Sequence, residues 1–282
     1  MALTYPIILE IAEKTYAVNE FGVDTMFLLE GESEAMVIDT GMGMCDFRGI
    51  VESITRLPYT VALTHGHQDH CGSMDQFERV WLHPADWEAA LAVQNQYSRR
   101  ADSARRLKGL EGDADVWDYD PDTVCRPWTR VPELLPLADG QLFELGGRTV
   151  ETVYTPGHSP GSCCFIDRQG RILFSGDACN VSLMCTDCSI ETAIGGLRHL
   201  QERENLFDRN FNGHLAYSSG MNHIAMPQTI LGDCIAAMER ILAGQAEPQT
   251  SMYSRWRGGS VNSYLWGGVK LTYDPEKIRE VR

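Results

Sequence analysis

The first part of the chain alternates short apolar runs with glycine turns, a pattern typical of β-strands. Three early runs are predicted as strands: residues 15–18, 26–30 and 35–39. Apolar positions then recur at helical spacing over residues 47–54, and the buried-type run 61–63 follows directly. A strand, a helix and another strand in this order predict a crossover unit in which helices cover a sheet.

The pattern restarts after a connection rich in proline and aspartate. Four further strands are predicted, at residues 142–145, 148–154, 162–167 and 171–175. Amphipathic helices are predicted at about 85–110, 189–204 and 226–243, and a last strand at 268–273. Two successive halves without a low-complexity linker favour one α/β domain over residues 1–282, with a candidate helical lid insertion at about 85–136.

Composition narrows the class of protein. The 282 residues include 24 Lys and Arg against 39 Asp and Glu, so a net charge of −15 makes a nucleic-acid partner unexpected. No run approaches the roughly 18 apolar residues of a membrane span, and no export signal is predicted at the start. Nine scattered cysteines indicate reduced thiols, so we expect a cytoplasmic location and no association with a membrane.

The clearest chemical signal follows the run 61–63. The segment reads Thr64-His65-Gly-His67-Gln-Asp69-His70-Cys-Gly72. Imidazoles with a carboxylate among them suit divalent zinc, iron or manganese. Alternate residues of an extended backbone point the same way, so His65 and His67 can hold one ion, and Asp69 and His70 can face a second across a bend. A chance cluster is the alternative, but unpartnered buried imidazoles are costly.

Three later segments carry further candidate ligands. His158 follows the strand at 148–154, Asp177 follows the strand at 171–175, and His214 comes directly after a glycine. Loops at strand ends are where sites collect in sheet-based folds. These side chains are therefore candidates for the same metal site.

This ordered set, HxHxDH followed by a histidine, a Gly-Asp pair and a Gly-His pair, resembles the metallo-β-lactamase superfamily over most of the chain. The resemblance implies a four-layer αββα sandwich of two mixed β-sheets flanked by helices, with a binuclear site in a cleft between its halves. It assigns one ion to His65, His67 and His158, the other to Asp69, His70 and His214, and a bridging role to Asp177. His223 is an alternative to His214 as the last ligand.

The resemblance also implies a reaction. A hydroxide bridging two divalent ions, expected to be zinc with iron or manganese as alternatives, would be the nucleophile. Asp69 would be the catalytic residue that orients the water and passes a proton to the leaving group. A carboxylate at 177 is typical of glyoxalase II-like thioesterases, lactonases and phosphodiesterases, and true β-lactamases lack it. We therefore expect a metal-dependent hydrolase of a small ester, thioester or lactone, with a phosphodiesterase as the alternative and a redox or sensing iron protein as a further one.

The surroundings of the site leave several alternatives open. Asp39 either supports the histidine loop through hydrogen bonds or caps the helix that follows it. The basic cluster at residues 99–108 either draws an anionic small-molecule substrate to the cleft or forms a solvated helix face. The lone Cys185-Thr-Asp-Cys188 segment predicts neither a metal nor a redox site. A homo-oligomer is also an open alternative.

Overall fold

The structure is a computed structural model that describes residues 6–109, 125–215, 224–250 and 261–280. The strands are β1 (Ile7–Ala12), β2 (Thr15–Glu20), β3 (Asp24–Glu30), β4 (Ala35–Ile38), β5 (Tyr59–Ala62), β6 (Arg79–Leu82), β7 (Glu133–Pro136), β8 (Leu142–Glu144), β9 (Thr149–Tyr154), β10 (Cys163–Asp167), β11 (Ile172–Gly176), β12 (Met184–Cys185), β13 (Arg209–Asn212), β14 (Gln249–Thr250), β15 (Asn262–Trp266) and β16 (Val269–Tyr273). The helices are α1 (Phe47–Ile54), α2 (Gln68–Cys71), α3 (Trp87–Ala92), α4 (Gln96–Gly109), α5 (Ile190–Gln201) and α6 (Ile230–Leu242). Within these ranges no helix has the length and apolar character that crossing a membrane requires.

Two mixed sheets form the centre of the fold. The seven-stranded sheet runs in the order β1 to β7, antiparallel through β4 and parallel from β4 to β7. The five-stranded sheet has the order β13-β11-β10-β9-β8, with only the β11–β13 pair parallel. Parallel neighbours place several strand ends at one edge, where loops can converge.

Alternation along the strands divides the core into layers. In β3, Phe27 faces the other sheet and packs on Phe174, with ring centroids 4.7 Å apart, whereas Met26 and Leu28 face the opposite side with α1. The outer face of the five-stranded sheet packs against α5 and α6 through Ile166 and Leu173. Helix, sheet, sheet and helix therefore form the four layers that the sequence predicts.

The structure corrects three details of the predicted organisation. The predicted helix at 85–110 is two helices, α3 and α4, separated by a turn after Ala92. The Asn95 side chain accepts the Tyr97 backbone N–H at the start of α4. The connection before residue 136 contributes β7, an edge strand of the large sheet. The last predicted strand is half of a hairpin in a third sheet, of order β12-β16-β15-β14. Residues 110–124 lie outside the described ranges, so the lid stays a prediction.

Candidate metal centre

Loops that follow strands carry all seven predicted ligands to one place. Residues 64–72 follow β5, and α2 begins directly after His67, which keeps an extended backbone. His158, Asp177 and His214 follow β9, β11 and β13, respectively. Gly213 makes the convergence possible, because a Cβ there would lie 2.4 Å from Cε1 of His70.

The predicted ligands form overlapping groups whose ligand atoms lie within 4.8 Å of one another. The groups are His65, His67 and His158; His65, His70 and Asp177; and Asp69, His70 and His214. We call the first of these the triple-histidine group and the last the Asp69 group. They match the two ligand sets that the family resemblance implies. His223 lies outside the described residues, so its alternative role stays a prediction.

Asp177 lies between the triple-histidine group and the Asp69 group. Its Oδ2 is 3.1 Å from His214 Nε2 and 3.5 Å from His158 Nε2, and its Oδ1 is 3.8 Å from His70 Nε2. Ligand atoms around a tetrahedral zinc ion stand about 3.3 Å apart, given metal–ligand distances near 2.0 Å. The carboxylate thus approaches both sets, with Oδ2 near one member of each and Oδ1 near His70, and this position suits a bridging ligand.

Each imidazole is oriented by a bond on the side facing away from the centre. Four of the five rings donate a hydrogen bond to a carboxylate or carbonyl oxygen. The fifth ring, that of His65, contacts the Thr64 hydroxyl, which itself donates to Asp39. The partners are Thr64 Oγ1 for His65, Asp187 Oδ2 for His67, Asp39 Oδ2 for His70, the Met184 carbonyl for His158 and the Val23 carbonyl for His214. These bonds leave the other nitrogen of each ring directed inward.

Three of the inward atoms lack hydrogen-bond partners among the described residues, and this tests whether a metal fits. His65 Nε2, His70 Nε2 and Asp177 Oδ1 are buried, and within the described ranges none has a hydrogen-bond partner. His67 Nδ1 and His158 Nε2 face each other at 2.9 Å although the proton of each ring serves its outward bond. Orphaned polar atoms and opposed lone pairs are unfavourable in a protein interior. A cation among these atoms would satisfy them, so the residues fit a metal centre.

The structure decides between the two roles that the sequence leaves open for Asp39, support of the histidine loop and the cap of the following helix. Its carboxylate accepts hydrogen bonds from the Thr64 backbone N–H and hydroxyl and from His70 Nδ1, at 2.7 to 3.1 Å. The cap of α1 is Asp46, whose side chain accepts the Gly49 N–H. Asp39 therefore supports the histidine loop.

Two aspartates near the centre were not among the predicted site residues. Asp86 is buried and accepts the N–H groups of Gly66 and Gly161 and the Ser159 hydroxyl, which joins the His65–His67 loop to the His158 loop. Asp187 contacts His67 from the segment between two cysteines. The only sequence feature near Asp187 is the Cys185–Cys188 segment, and its cysteine spacing alone predicts neither a metal nor a redox site.

The basic cluster of α4 is neither a uniform anion-binding face nor a solvated one. Arg99 is fully buried, and its guanidinium donates to four backbone carbonyls. Arg105 pairs with Asp102 near the surface, whereas Arg106 reaches the centre and pairs with Asp69, Nη2 to Oδ2, at 2.6 Å. The Lys108 side chain lies outside the described residues.

Burial and charge separate the pKa values of the ligand groups in the metal-free protein. Burial lowers the pKa of His158 to about 4 and places that of His65 well below its usual value. Burial opposes the charge of His70 as well, but Asp39 and Asp69 outweigh it and raise the pKa of His70 to about 9. At neutral pH the Asp69 group therefore contains a protonated imidazole, and the triple-histidine group contains at least two neutral ones.

This difference predicts unequal proton release when cations bind, because a ligating imidazole must be neutral. At pH 7.5 we expect the ion at the Asp69 group to displace about one proton from His70. The ion at the triple-histidine group should displace none from His65 or His158. Calorimetric titration with Zn²⁺ in buffers of different ionisation enthalpy measures both steps, and equal release at the two steps would contradict the assignment.

Asp187→Asn is expected to lower the affinity of the triple-histidine group for a cation about tenfold, because the carboxylate charge facing His67 Nε2 orients the ring and raises its basicity. The two side-chain atoms are 3.3 Å apart, and both residues are about 30% exposed. Competition with a chelator measures the affinity. Asp208→Asn, at an exposed pair with Arg171, is the matched control and should change nothing; an equal effect of both variants would exclude the local role.

Comparison with known proteins places these observations in a family. A family model described as the metallo-beta-lactamase superfamily matches residues 20–181. A human protein named acyl-coenzyme A thioesterase MBLAC2 is 33% identical over 167 residues, which cover 54% of this chain and 57% of that protein. An Aspergillus fumigatus protein named atrochrysone carboxyl ACP thioesterase is 28% identical over 161 residues, covering 55% and 39%. The chain thus spans about half the length, or less, of these curated relatives.

Solved structures share the fold at low sequence identity. A metallo-beta-lactamase from Pontibacter korlensis gives a TM-score of 0.56 at 16% identity, covering 82% of this chain and 97% of that one. The sec-alkylsulfatase Pisa1 from Pseudomonas sp. gives 0.58 at 16% identity, covering 85% and 42%. At such identities the likeness concerns the arrangement of helices and sheets and not the reaction.

Proposed function

Because the chain belongs to the metallo-beta-lactamase superfamily, we propose that it is a metal-dependent hydrolase that cleaves a small thioester, ester or lactone. One observation carries the proposal. Five imidazoles are anchored by outward bonds and turn their other nitrogens toward a shared carboxylate, and His65 Nε2, His70 Nε2 and Asp177 Oδ1 are buried there without a hydrogen-bond partner among the described residues. That donor set suits divalent metal ions and no other common protein group.

We propose that the centre holds two divalent ions, with zinc as the expected metal. His65, His67 and His158 would hold one ion, Asp69, His70 and His214 the other, and Asp177 would bridge them. When bound, such ions act as Lewis acids and supply a strong oxygen nucleophile from water at neutral pH. Their positive charge would also attract an anionic substrate to a chain of net charge −15.

The side chains of this chain have distinct roles in the proposal. Asp39 and Asp187 hold His70 and His67 in fixed orientations. In the metal-free protein burial raises the pKa of the Asp69 carboxyl, but Arg106, His70 and His214 outweigh burial and hold that pKa below its usual range. The Asp69 carboxylate would orient the water and pass a proton to the leaving group, as the family resemblance implies.

Thioesters come first among the substrate classes because both curated relatives described above are named as thioesterases, although the chain spans only part of each. The carboxylate at 177 agrees with this order but does not decide it, since lactonases and phosphodiesterases of the resembling branches have it too. A small phosphodiester would be accommodated by the same metal centre and is the alternative outcome of the test.

A hydrolysis screen beside metal quantification tests the proposal. Protein loaded with Zn²⁺ is assayed on short and long acyl-coenzyme A thioesters, p-nitrophenyl esters, lactones and bis(p-nitrophenyl) phosphate. We expect two ions per chain and the highest kcat/KM on a thioester. Higher activity on the phosphodiester would favour the alternative. Iron with redox-active spectra and no hydrolysis would exclude the proposal, as would full metal occupancy with a silent panel.

A further inference from the structure

Arg106 of α4 binds the oxygen through which Asp69 would ligate a metal. Its Nη2 lies 2.6 Å from Asp69 Oδ2, and the Asp69 side chain is only 4% exposed. The same Oδ2 lies 3.5 Å from His214 Nε2 and 3.9 Å from His70 Nε2. One carboxylate oxygen therefore faces both a guanidinium and the inward nitrogens of the Asp69 group.

The pair is part of a connection between α4 and the short helix α2 that carries Asp69. Arg106 Nε and Gln68 Nε2 both donate to Asp102 Oδ2, at 2.9 and 3.0 Å. Ser98 Oγ donates to Gln68 Oε1 at 3.0 Å. Displacement of Arg106 from Asp69 would therefore disturb the hydrogen bonds that connect one face of α4 to α2.

A guanidinium and a divalent ion at this oxygen would repel each other. A cation bound to Asp69 Oδ2 would stand within roughly 5 Å of the Arg106 charge, given metal–oxygen distances near 2 Å. Like charges at that separation in a largely buried site are weakly screened by solvent and salt. The triple-histidine group differs, since among the described residues no arginine or lysine forms an ion pair with His65, His67 or His158.

We propose that Arg106 is a competing counter-ion for the second metal position: it neutralises Asp69 when that position is empty and must withdraw when a cation occupies it. The inference rests on the proposed metal centre and adds its regulation. Cations then bind in a fixed order, first at the triple-histidine group. Occupancy of the Asp69 group becomes coupled to the position of α4.

Chelator-buffered Zn²⁺ titration of the metal-free protein, followed to two equivalents, tests this. Arg106→Met and Arg106→Gln are expected to tighten the second ion about tenfold and to leave the first unchanged. Arg106→Lys keeps the charge and should stay near wild type. Arg105→Met is the matched control. Arg105 lies on the same helix and pairs with Asp102 near the surface, so its replacement should not alter either affinity.

Hydrogen exchange of α4 supplies a readout independent of affinity. In the wild type, amides of Gln96–Gly109 should exchange faster after the second equivalent of Zn²⁺ than after the first. Unchanged or weaker second-ion binding in both neutral variants would overturn the competition and make Arg106 an orienting partner of Asp69. A wild-type chain that binds no ion would instead contradict the metal centre itself, and with it the proposed function.

Discussion

Replacement of His67 by alanine is expected to lower kcat/KM for hydrolysis by at least about 10³-fold and to remove the ion at the triple-histidine group. His67 presents Nδ1 to the centre, 2.9 Å from His158 Nε2, so its loss leaves that group with two ligands. Hydrolysis of the best thioester and zinc content per chain measure the two effects on the same preparation. The fold should persist, because the His67 side chain is 30% exposed.

His199→Ala is the control for this variant. His199 lies on α5 and is about a third exposed, and its hydrogen bonds and ion pairs go to Asp139, Glu202 and Arg203 rather than to any predicted ligand. Its removal should leave activity and zinc content unchanged. Full activity of the His67 variant with one ion remaining would show that the triple-histidine group is dispensable and would contradict the proposed mechanism.

The convergence of the seven candidate ligands could be predicted from sequence because each of them is marked locally. His65, His67, Asp69 and His70 lie within six residues after a buried strand, and extended backbone fixes which of them share a face. His158, Asp177 and His214 each follow a strand. The family resemblance supplied their grouping, and the structure brings the members of each group together.

The residues that support the ligands could not be predicted in the same way. Asp86 accepts bonds from Gly66 and Gly161, 20 and 75 positions away, and Asp187 contacts His67 across 120 positions. Their roles arise from how loops of different strands pack, which no local pattern records. Asp39 was recognised as a candidate, but only the structure distinguishes its contact with His70 from a helix cap.

The same distinction separates the predicted from the unpredicted parts of the fold. Strands β2 to β5 and β8 to β11 carry apolar runs bounded by turns, so their existence was readable. Strands β12 and β14 have two residues each and exist only through pairing with β16 and β15. At the break between α3 and α4 the Asn95 side chain accepts a backbone N–H, and the otherwise helical pattern of the sequence gives no sign of this bond.

Asp39→Asn is expected to lower the free energy of unfolding of the metal-free protein by about 3 kcal/mol at pH 7, because it breaks a buried carboxylate–imidazolium pair. Asp39 and His70 are 2.9 Å apart with side chains 2% and 1% exposed. Asparagine keeps an oxygen for the Thr64 N–H and tolerates the left-handed backbone of Asp39, where φ is 63°. Urea denaturation measures the loss.

The chain contains a matched control in which the same chemistry is exposed. Asp139 pairs with His199 at 3.0 Å and also accepts a backbone N–H, from Tyr154, but these side chains are 41% and 32% exposed. Asp139→Asn should therefore cost less than about 1 kcal/mol.

The cost of Asp39→Asn should also depend on pH. The pKa of His70 is raised to about 9 from 6.5, so its stabilisation is complete below about pH 6.5 and is lost as pH rises through 9. Equal costs at the two sites, or a cost at Asp39 that does not shrink between pH 7 and 10, would show that the His70 charge does not stabilise the loop.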